Sequence, residues 1–265
     1  MVEQDLIAPW HLPNPTEEEA KRLMAGPFGK QIHELVVLHM TFLVFGTHGE
    51  RGEVRKRRNG TCFFMKTPQR LFGVTAKHVV ETLWKAKDDH PETICQIGNI
   101  LLDPAERMIA KGVKADIATF DITESELNRI GKRPITLWPP QPPDVDNSGV
   151  VFAGFPAAAI QVNDPRTLGF GIYAATGIVQ RVTDWQLSCT VDWEHSAPPP
   201  SGMGELPPKQ FDTGGMSGGP MLSVRTKGGL VTFPLAGVVA EGRMETDTII
   251  AERADCIRAD GTIRV

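Results

Sequence analysis

The chain has 265 residues and a formal net charge of −4, a balance that speaks against a nucleic-acid binder, whose domain would carry a basic face. With 41% hydrophobic residues it can bury a large core, yet no run is apolar for long enough to span a membrane. The acidic stretch Met1 to Asp5 and the early prolines 9, 13 and 15 read against a secretory signal.

In chain order, Thr16-Glu17-Glu18-Glu19 is a capping box and Glu18 with Arg22 an i,i+4 pair, so a short helix is expected from Pro15 to Met24, stopped by Gly26-Pro27. Residues 1–30 read as a helical appendage. Strands are expected at Glu34 to Phe45, Thr61 to Lys66 and Leu71 to Thr75, with a helix from about Val79 through Lys87. Arg51, Arg55, Lys56, Arg57 and Arg58 precede Asn59-Gly60, a hairpin-turn dipeptide. They read as a solvated loop or edge strand, with a docking patch for an acidic partner as the alternative. Leu137 to Pro143 is a stiff proline-rich connector, which divides the chain into 31–138, a linker at 139–148, and 149–265.

Beyond the connector, Gly149 to Pro156, Gly177 to Thr183 and Thr248 to Ile250 read as strands, and Ala251 to Ala259 as a C-terminal helix. Ser196 to Pro208 is a proline-rich loop that either rims a cleft or is a solvated insertion. The 26 glycines and 21 prolines supply turns for many short strands, so the fold class is all-β. Cys62, Cys95, Cys189 and Cys256 are scattered and form no CxxC pair, so neither a zinc site nor a compact disulfide framework is expected, and a reducing cytoplasmic compartment fits best. His33, His39 and His48 are too irregularly placed for a metal site.

Three segments carry chemistry. Gly214-Gly215-Met216-Ser217-Gly218-Gly219-Pro220 surrounds a serine with glycines that permit tight geometry and leave room for a substrate carbonyl, on which the N–H groups of Gly215 and Ser217 can converge as an oxyanion hole. A serine hydroxyl is a weak nucleophile and demands a base and a group to orient that base. Thr75-Ala76-Lys77-His78 places a histidine where an apolar strand gives way to helix, and Asp116-Ile117-Ala118 sets an acid beside small and apolar neighbours. The order His, Asp, Ser is the one used by chymotrypsin-type barrels.

These segments, with Leu235 to Gly242, resemble the signature segments of the trypsin/chymotrypsin-like serine peptidases, especially their bacterial, disulfide-free branch. The resemblance covers most of the chain after about residue 31. It implies two antiparallel β-barrels of six strands each, the first carrying His78 as general base and Asp116 as orienting acid, the second carrying Ser217 as nucleophile with Gly215 and Ser217 as oxyanion donors. It also implies a polypeptide substrate whose backbone pairs with the Leu235 to Gly242 strand, Ala240 included, with Phe211 at the floor of the side-chain pocket and Glu241-Gly242 as one wall; the alternative makes Asp212, one residue along, or Glu241 an acidic partner for a basic side chain. No cofactor and no metal are implied, and neither nucleic acid nor membrane is an expected partner.

Departures from the family pattern carry their own expectations. Val79 and Thr213 stand at or near positions where secreted relatives carry cysteines. Met216 replaces an aspartate that receives a freshly cut N-terminus in digestive and clotting relatives, so activation of that kind is not expected. Ala240 replaces a serine that helps hold the acid, leaving Asp116 to be oriented by backbone N–H groups around Ala76 and His78. The alternative reading is a peptide-binding or regulatory module with a latent or inactive triad, acting with a regulatory protein partner. Esterase activity on a small acyl substrate lies between the two.

Overall fold

The structure is a computed structural model that describes residues 17–48, 54–143, 148–164, 167–191, 212–227 and 230–265. The expected loop at Ser196 to Pro208, together with Arg51 and Phe211, lies outside the described residues.

Two helices lead the described chain, α1 (Glu17–Ala25) and α2 (Pro27–Val37). Gly26-Pro27 ends the first and starts the second, because a proline at the first helical position gives up an N–H that has no partner there anyway. The strand expected from Glu34 therefore begins only at Met40, since Ile32 and Val36, one turn apart, bury the apolar stripe of α2. Next come β1 (Met40–His48), β2 (Val54–Lys66), β3 (Leu71–Thr75), α3 (Lys77–Asp89), β4 (Ile94–Ile97), β5 (Ile100–Leu101), β6 (Met108–Lys111), β7 (Ala118–Asp121) and α4 (Glu124–Ile130). The short α4 is set by a reciprocal capping box between Thr123 and Glu126 and ends at Gly131 in the left-handed region. Among the described residues these strands form one seven-stranded sheet in the order β5, β4, β1, β2, β3, β7, β6, a half-barrel where six strands were expected.

The second half holds β8 (Gly149–Gly154), β9 (Ile160–Asp164), β10 (Thr167–Phe170), β11 (Tyr173–Val182), β12 (Gln186–Thr190), β13 (Pro220–Ser223), β14 (Arg225–Lys227), β15 (Leu230–Thr232), β16 (Leu235–Arg243) and β17 (Thr248–Arg253). Six of them close a barrel in the order β11, β12, β17, β16, β13, β8, while β9 with β10 and β14 with β15 are separate hairpins. The protein is thus mostly β, a double barrel of the chymotrypsin type with few helices. The expected C-terminal helix over 251–259 does not form. Ala251 and Glu252 instead pair with Leu187 and Gln186 inside the barrel wall, and only one 3-10 turn, Ala254–Cys256, follows.

Asn59-Gly60 is also not a hairpin turn. Both residues lie inside β2, paired with Val44 and Leu43 of β1. The reason β2 reads as a nearly continuous apolar run, Thr61 to Met65, is that both faces of the sheet are covered. Cys62 and Phe64 point into the first half's core with Leu43, Phe45 and Phe120, whereas Phe63 and Met65 point to a second core shared with α2, Val151, Leu222 and Leu235. The seam between the halves is therefore apolar, and Phe42 of β1 stacks on Phe170 at 3.8 Å between ring centroids and meets Phe155 edge-on. A third core fills the closed barrel, with Phe152, Leu187, Met221, Val239, Ile249 and Ala251.

Candidate active site

The backbone pairing alone brings His78 and Asp116 together. β3 and β7 run antiparallel with Thr75 opposite Ala118, and extending that register past the strand ends sets residue 116 opposite residue 77. The Lys77 N–H donates to the Asp116 carbonyl at 3.3 Å accordingly. One residue on, at the first turn of α3, the His78 N–H donates to Asp116 Oδ1 at 2.9 Å, and His78 Nδ1 is bonded to Asp116 Oδ2 at 2.5 Å. The acid is thus held by the His78 backbone, as expected where Ala240 has no hydroxyl; the Ala76 N–H takes no part in this contact.

That hydrogen bond is the main cause raising the His78 imidazole above its ordinary value, against a lowering by burial, with the Asp116 charge and Glu81 adding to the rise. Burial pushes the Asp116 carboxyl up, but its hydrogen bonds and charge contact with His78 outweigh this and hold it below the usual range. The pair is an ionised acid beside a basic imidazole, with the histidine side chain about half exposed.

Ser217 sits in the turn that leads into β13, and this turn is docked on the first half. The Thr61 N–H donates to the Ser217 carbonyl at 2.9 Å. Gly218, with φ +90°, rests so closely on β2 and β3 that a methyl group there would come within 2.0 Å of the Thr61 carbonyl and 2.9 Å of the Ala76 nitrogen. A methyl group at Gly60 would strike Val79 at 2.8 Å and lie 3.5 Å from the Ser217 carbonyl. The residues on both sides of His78 therefore border the Ser217 turn. The serine hydroxyl itself donates to the Ala240 carbonyl at 3.0 Å and makes no hydrogen bond to His78. Ala240 is the extra residue of a bulge between the Val239–Ala251 and Glu241–Ile250 pairs, which turns its carbonyl out of the ladder.

The two expected oxyanion donors are oriented by the groups before them. In a trans peptide the N–H points opposite the preceding carbonyl. The Gly214 carbonyl accepts the Ala157 N–H at 2.6 Å, and the Met216 carbonyl accepts the Gly219 N–H at 3.0 Å, so the N–H groups of Gly215 and Ser217 face away from those partners. Among the described residues neither has an acceptor. Gly215 takes φ +95°, and a side chain there would collide with Asn59 at 2.1 Å.

Other expected residues are less concentrated. Asp212 is exposed and accepts the Gly214 N–H at 2.8 Å. Glu241 is exposed and bonded through both oxygens to Arg243, at 2.9 and 3.1 Å, which holds its carboxyl low. Gly242 lies against Thr213, whose hydroxyl a methyl group at 242 would meet at 2.4 Å. Met216 is buried in the closed barrel's core. All four cysteines are free and buried. Among the described residues no group of three His, Cys, Asp or Glu is placed to hold a metal, and no helix is long and apolar enough to cross a membrane.

Sequence reasoning passed over Asn59 and Thr61, which tie the halves together. Asn59 Nδ2 donates to the Phe155 carbonyl at 2.8 Å. The signal was present in two polar residues heading the apolar run of β2, but the Asn-Gly dipeptide read more strongly as a turn.

No family model matches the chain, and no curated protein does. Among solved structures, the chain is similar to a thermostable serine protease from an extremophilic microorganism, with TM-score 0.47 and 11% identity over 82% of this chain and 91% of that one. It is also similar to a structure reporting the coupled folding and binding of the Sesbania mosaic virus VPg protein, with TM-score 0.43 and 12% identity over 82% and 91%. A third is a protease from Arthrobacter nicotinovorans, with TM-score 0.41 and 14% identity over 82% and 90%. Strand order and barrel closure, rather than these distant likenesses, carry the assignment of a chymotrypsin-type double barrel.

Proposed function

We propose that the protein is a serine endopeptidase acting on polypeptides through an acyl-enzyme. Ser217 attacks the scissile carbonyl while His78 takes the hydroxyl proton and later returns it to the leaving amine. Asp116 fixes the imidazole with its Nδ1 proton facing the carboxylate, and the N–H groups of Gly215 and Ser217 hold the oxyanion. The observation that carries this reading is the His78–Asp116 hydrogen bond at 2.5 Å beside a serine turn whose two N–H groups have no acceptor among the described residues. No cofactor is required by this chemistry. Four free, buried cysteines support a reducing, cytoplasmic compartment.

One observation favours the alternative of a peptide-binding or regulatory module. The Ser217 hydroxyl rests on the Ala240 carbonyl and not on His78. Catalytic hydrogen bonds are often loose before substrate binds, so the resting contact with Ala240 is compatible with the peptidase reading as well. Fluorophosphonate labelling decides between the readings. Stoichiometric labelling of the native chain that is lost in Ser217→Ala supports the peptidase, and absence of labelling with peptide binding intact supports the module.

A further inference from the structure

Glu252 is a carboxylate in a place where burial makes charge costly. On β17 the side chains of Ile249 and Ala251 fill the closed barrel, so the alternate residues, Ile250 and Glu252, face outward. Outward at this point means into the seam with the first half. Glu252 is only 3% exposed. Its Oε1 accepts from Gln186 Nε2 at 2.9 Å, across the β12–β17 pair in which Gln186 lies opposite it. Its Oε2 is buried and has no hydrogen-bond partner among the described residues. A buried oxygen left in that state requires an explanation.

The segment facing this carboxyl is the one that carries Asp116. Of the groups around the Glu252 carboxyl, the Gln186 amide, the Asp116 backbone N–H and the Lys77 charge favour its charged form, whereas the Asp116 charge disfavours it. Burial is nevertheless the largest influence and pushes the Glu252 carboxyl above its usual range. Next to it, Lys114 of the same segment lies over the Trp185 ring at 5.2 Å, one residue before Gln186. The acid-bearing segment therefore lies against the start of β12 at Trp185, next to the Gln186 that holds Glu252 of β17, both strands belonging to the second half.

We infer that Glu252 is a positioning residue for the catalytic acid: anchored by Gln186, it accepts the Asp116 backbone N–H through its otherwise unpartnered oxygen and fixes the carboxylate that orients His78. The inference rests on the peptidase reading for its kinetic consequence but not for its structural one. Two contacts then fix the acid from two sides, the His78 N–H at its side chain and the Glu252 carboxylate at its own N–H. The second contact ties the geometry of the base to the docking of the barrels.

The test uses the full chain with Glu252→Leu, Glu252→Gln and Gln186→Leu, reading the His78 titration by NMR together with kcat and KM on a peptide substrate. Glu252→Leu removes the acceptor, so the His78 pKa falls back towards its ordinary value and kcat drops about tenfold or more while KM changes little. Glu252→Gln rescues both, because its amide oxygen still accepts the Asp116 N–H once the Gln186 amide turns over. A wild-type His78 titration in Glu252→Leu overturns the inference, as does a Glu252→Gln protein as impaired as Glu252→Leu. If Glu252→Leu does not fold, Gln186→Leu, altered at an exposed side chain, decides: a lowered His78 pKa supports the role and an unchanged one refutes it. Should the wild-type chain cleave no peptide, the His78 titration still reads the contact, so failure of the peptidase reading and failure of this inference remain distinct.

Discussion

Thr61 of the first half holds Gly215 of the second: its hydroxyl accepts the Phe155 N–H at 2.9 Å and donates to the Gly215 carbonyl at 2.8 Å. Its own carbonyl accepts the Thr75 hydroxyl at 2.7 Å and its N–H reaches the Ser217 carbonyl. A residue with no exposed surface thus spends every polar group on the turn that carries the serine or on the strand that leads to the histidine. Thr61→Val keeps the shape but leaves the Phe155 N–H and the Gly215 carbonyl unpaired. The expected loss is about 1–3 kcal/mol of unfolding free energy, measured by denaturant titration, together with a fall in kcat larger than any rise in KM.

Replacing members of the proposed triad gives large and non-additive losses. Ser217→Ala, His78→Ala and Asp116→Asn each reduce turnover by roughly 10,000-fold or more, and the triple variant is little worse than Ser217→Ala. Single-turnover kinetics on a peptide ester checks this, and a Ser217→Ala protein as active as the native chain removes the assignment.

The pH dependence follows from the His78–Asp116 pair. His78 acts as a base only when neutral, and its hydrogen bond to Asp116 raises it above 6.5, so kcat/KM climbs with pH through an inflection above that value and the inflection moves down in Asp116→Asn. Stability follows the same signs. The raised histidine contributes fully below 6.5 and loses its contribution as pH rises through the folded value, whereas the lowered Asp116 contributes above its ordinary 3.8 and loses it as pH falls. The Tm difference between native and Asp116→Asn proteins is therefore largest between those two values.

The side-chain pocket is expected to favour small or aliphatic residues. Glu241 is already paired with Arg243, Asp212 is turned onto the Gly214 N–H, and the slot beside Gly242 is bordered by Thr213 and Ile249, so an apolar side chain fits this pocket better than a basic one. Gly242→Ala places a methyl group 2.4 Å from the Thr213 hydroxyl and 3.2 Å from Ile249 Cδ1, which lowers kcat/KM. A peptide-library profile strictly after Arg or Lys, abolished in Asp212→Ala or Glu241→Ala, is the contrary result.

The elements most legible in the sequence were those whose pattern is local. TAKH, DIA and GMSGGP each marked a segment, and the structure brings His78 and Asp116 into contact with the Ser217 turn alongside. Less legible were features decided by tertiary burial. Asn59-Gly60 carries a turn signal, yet pairing with Val44 and Leu43 and the bond from Asn59 to Phe155 keep it in a strand. Ala251 to Ala259 has helical composition, but two neighbouring strands claim Ala251 and Glu252. Glu252 itself gave no signal, because one glutamate in a strand reads as solvated until the opposite half is known to cover it.

The order in which these groups leave the ribosome gives the Thr61 and Gly218 contacts a further meaning. Synthesis completes the half with His78 and Asp116 before Ser217 exists, and the later turn takes its shape only by settling on β2 and β3. A nascent or partly unfolded chain then holds base and acid without a seated nucleophile. The proposed chemistry therefore depends on the docking of the two halves as much as on the folding of either one.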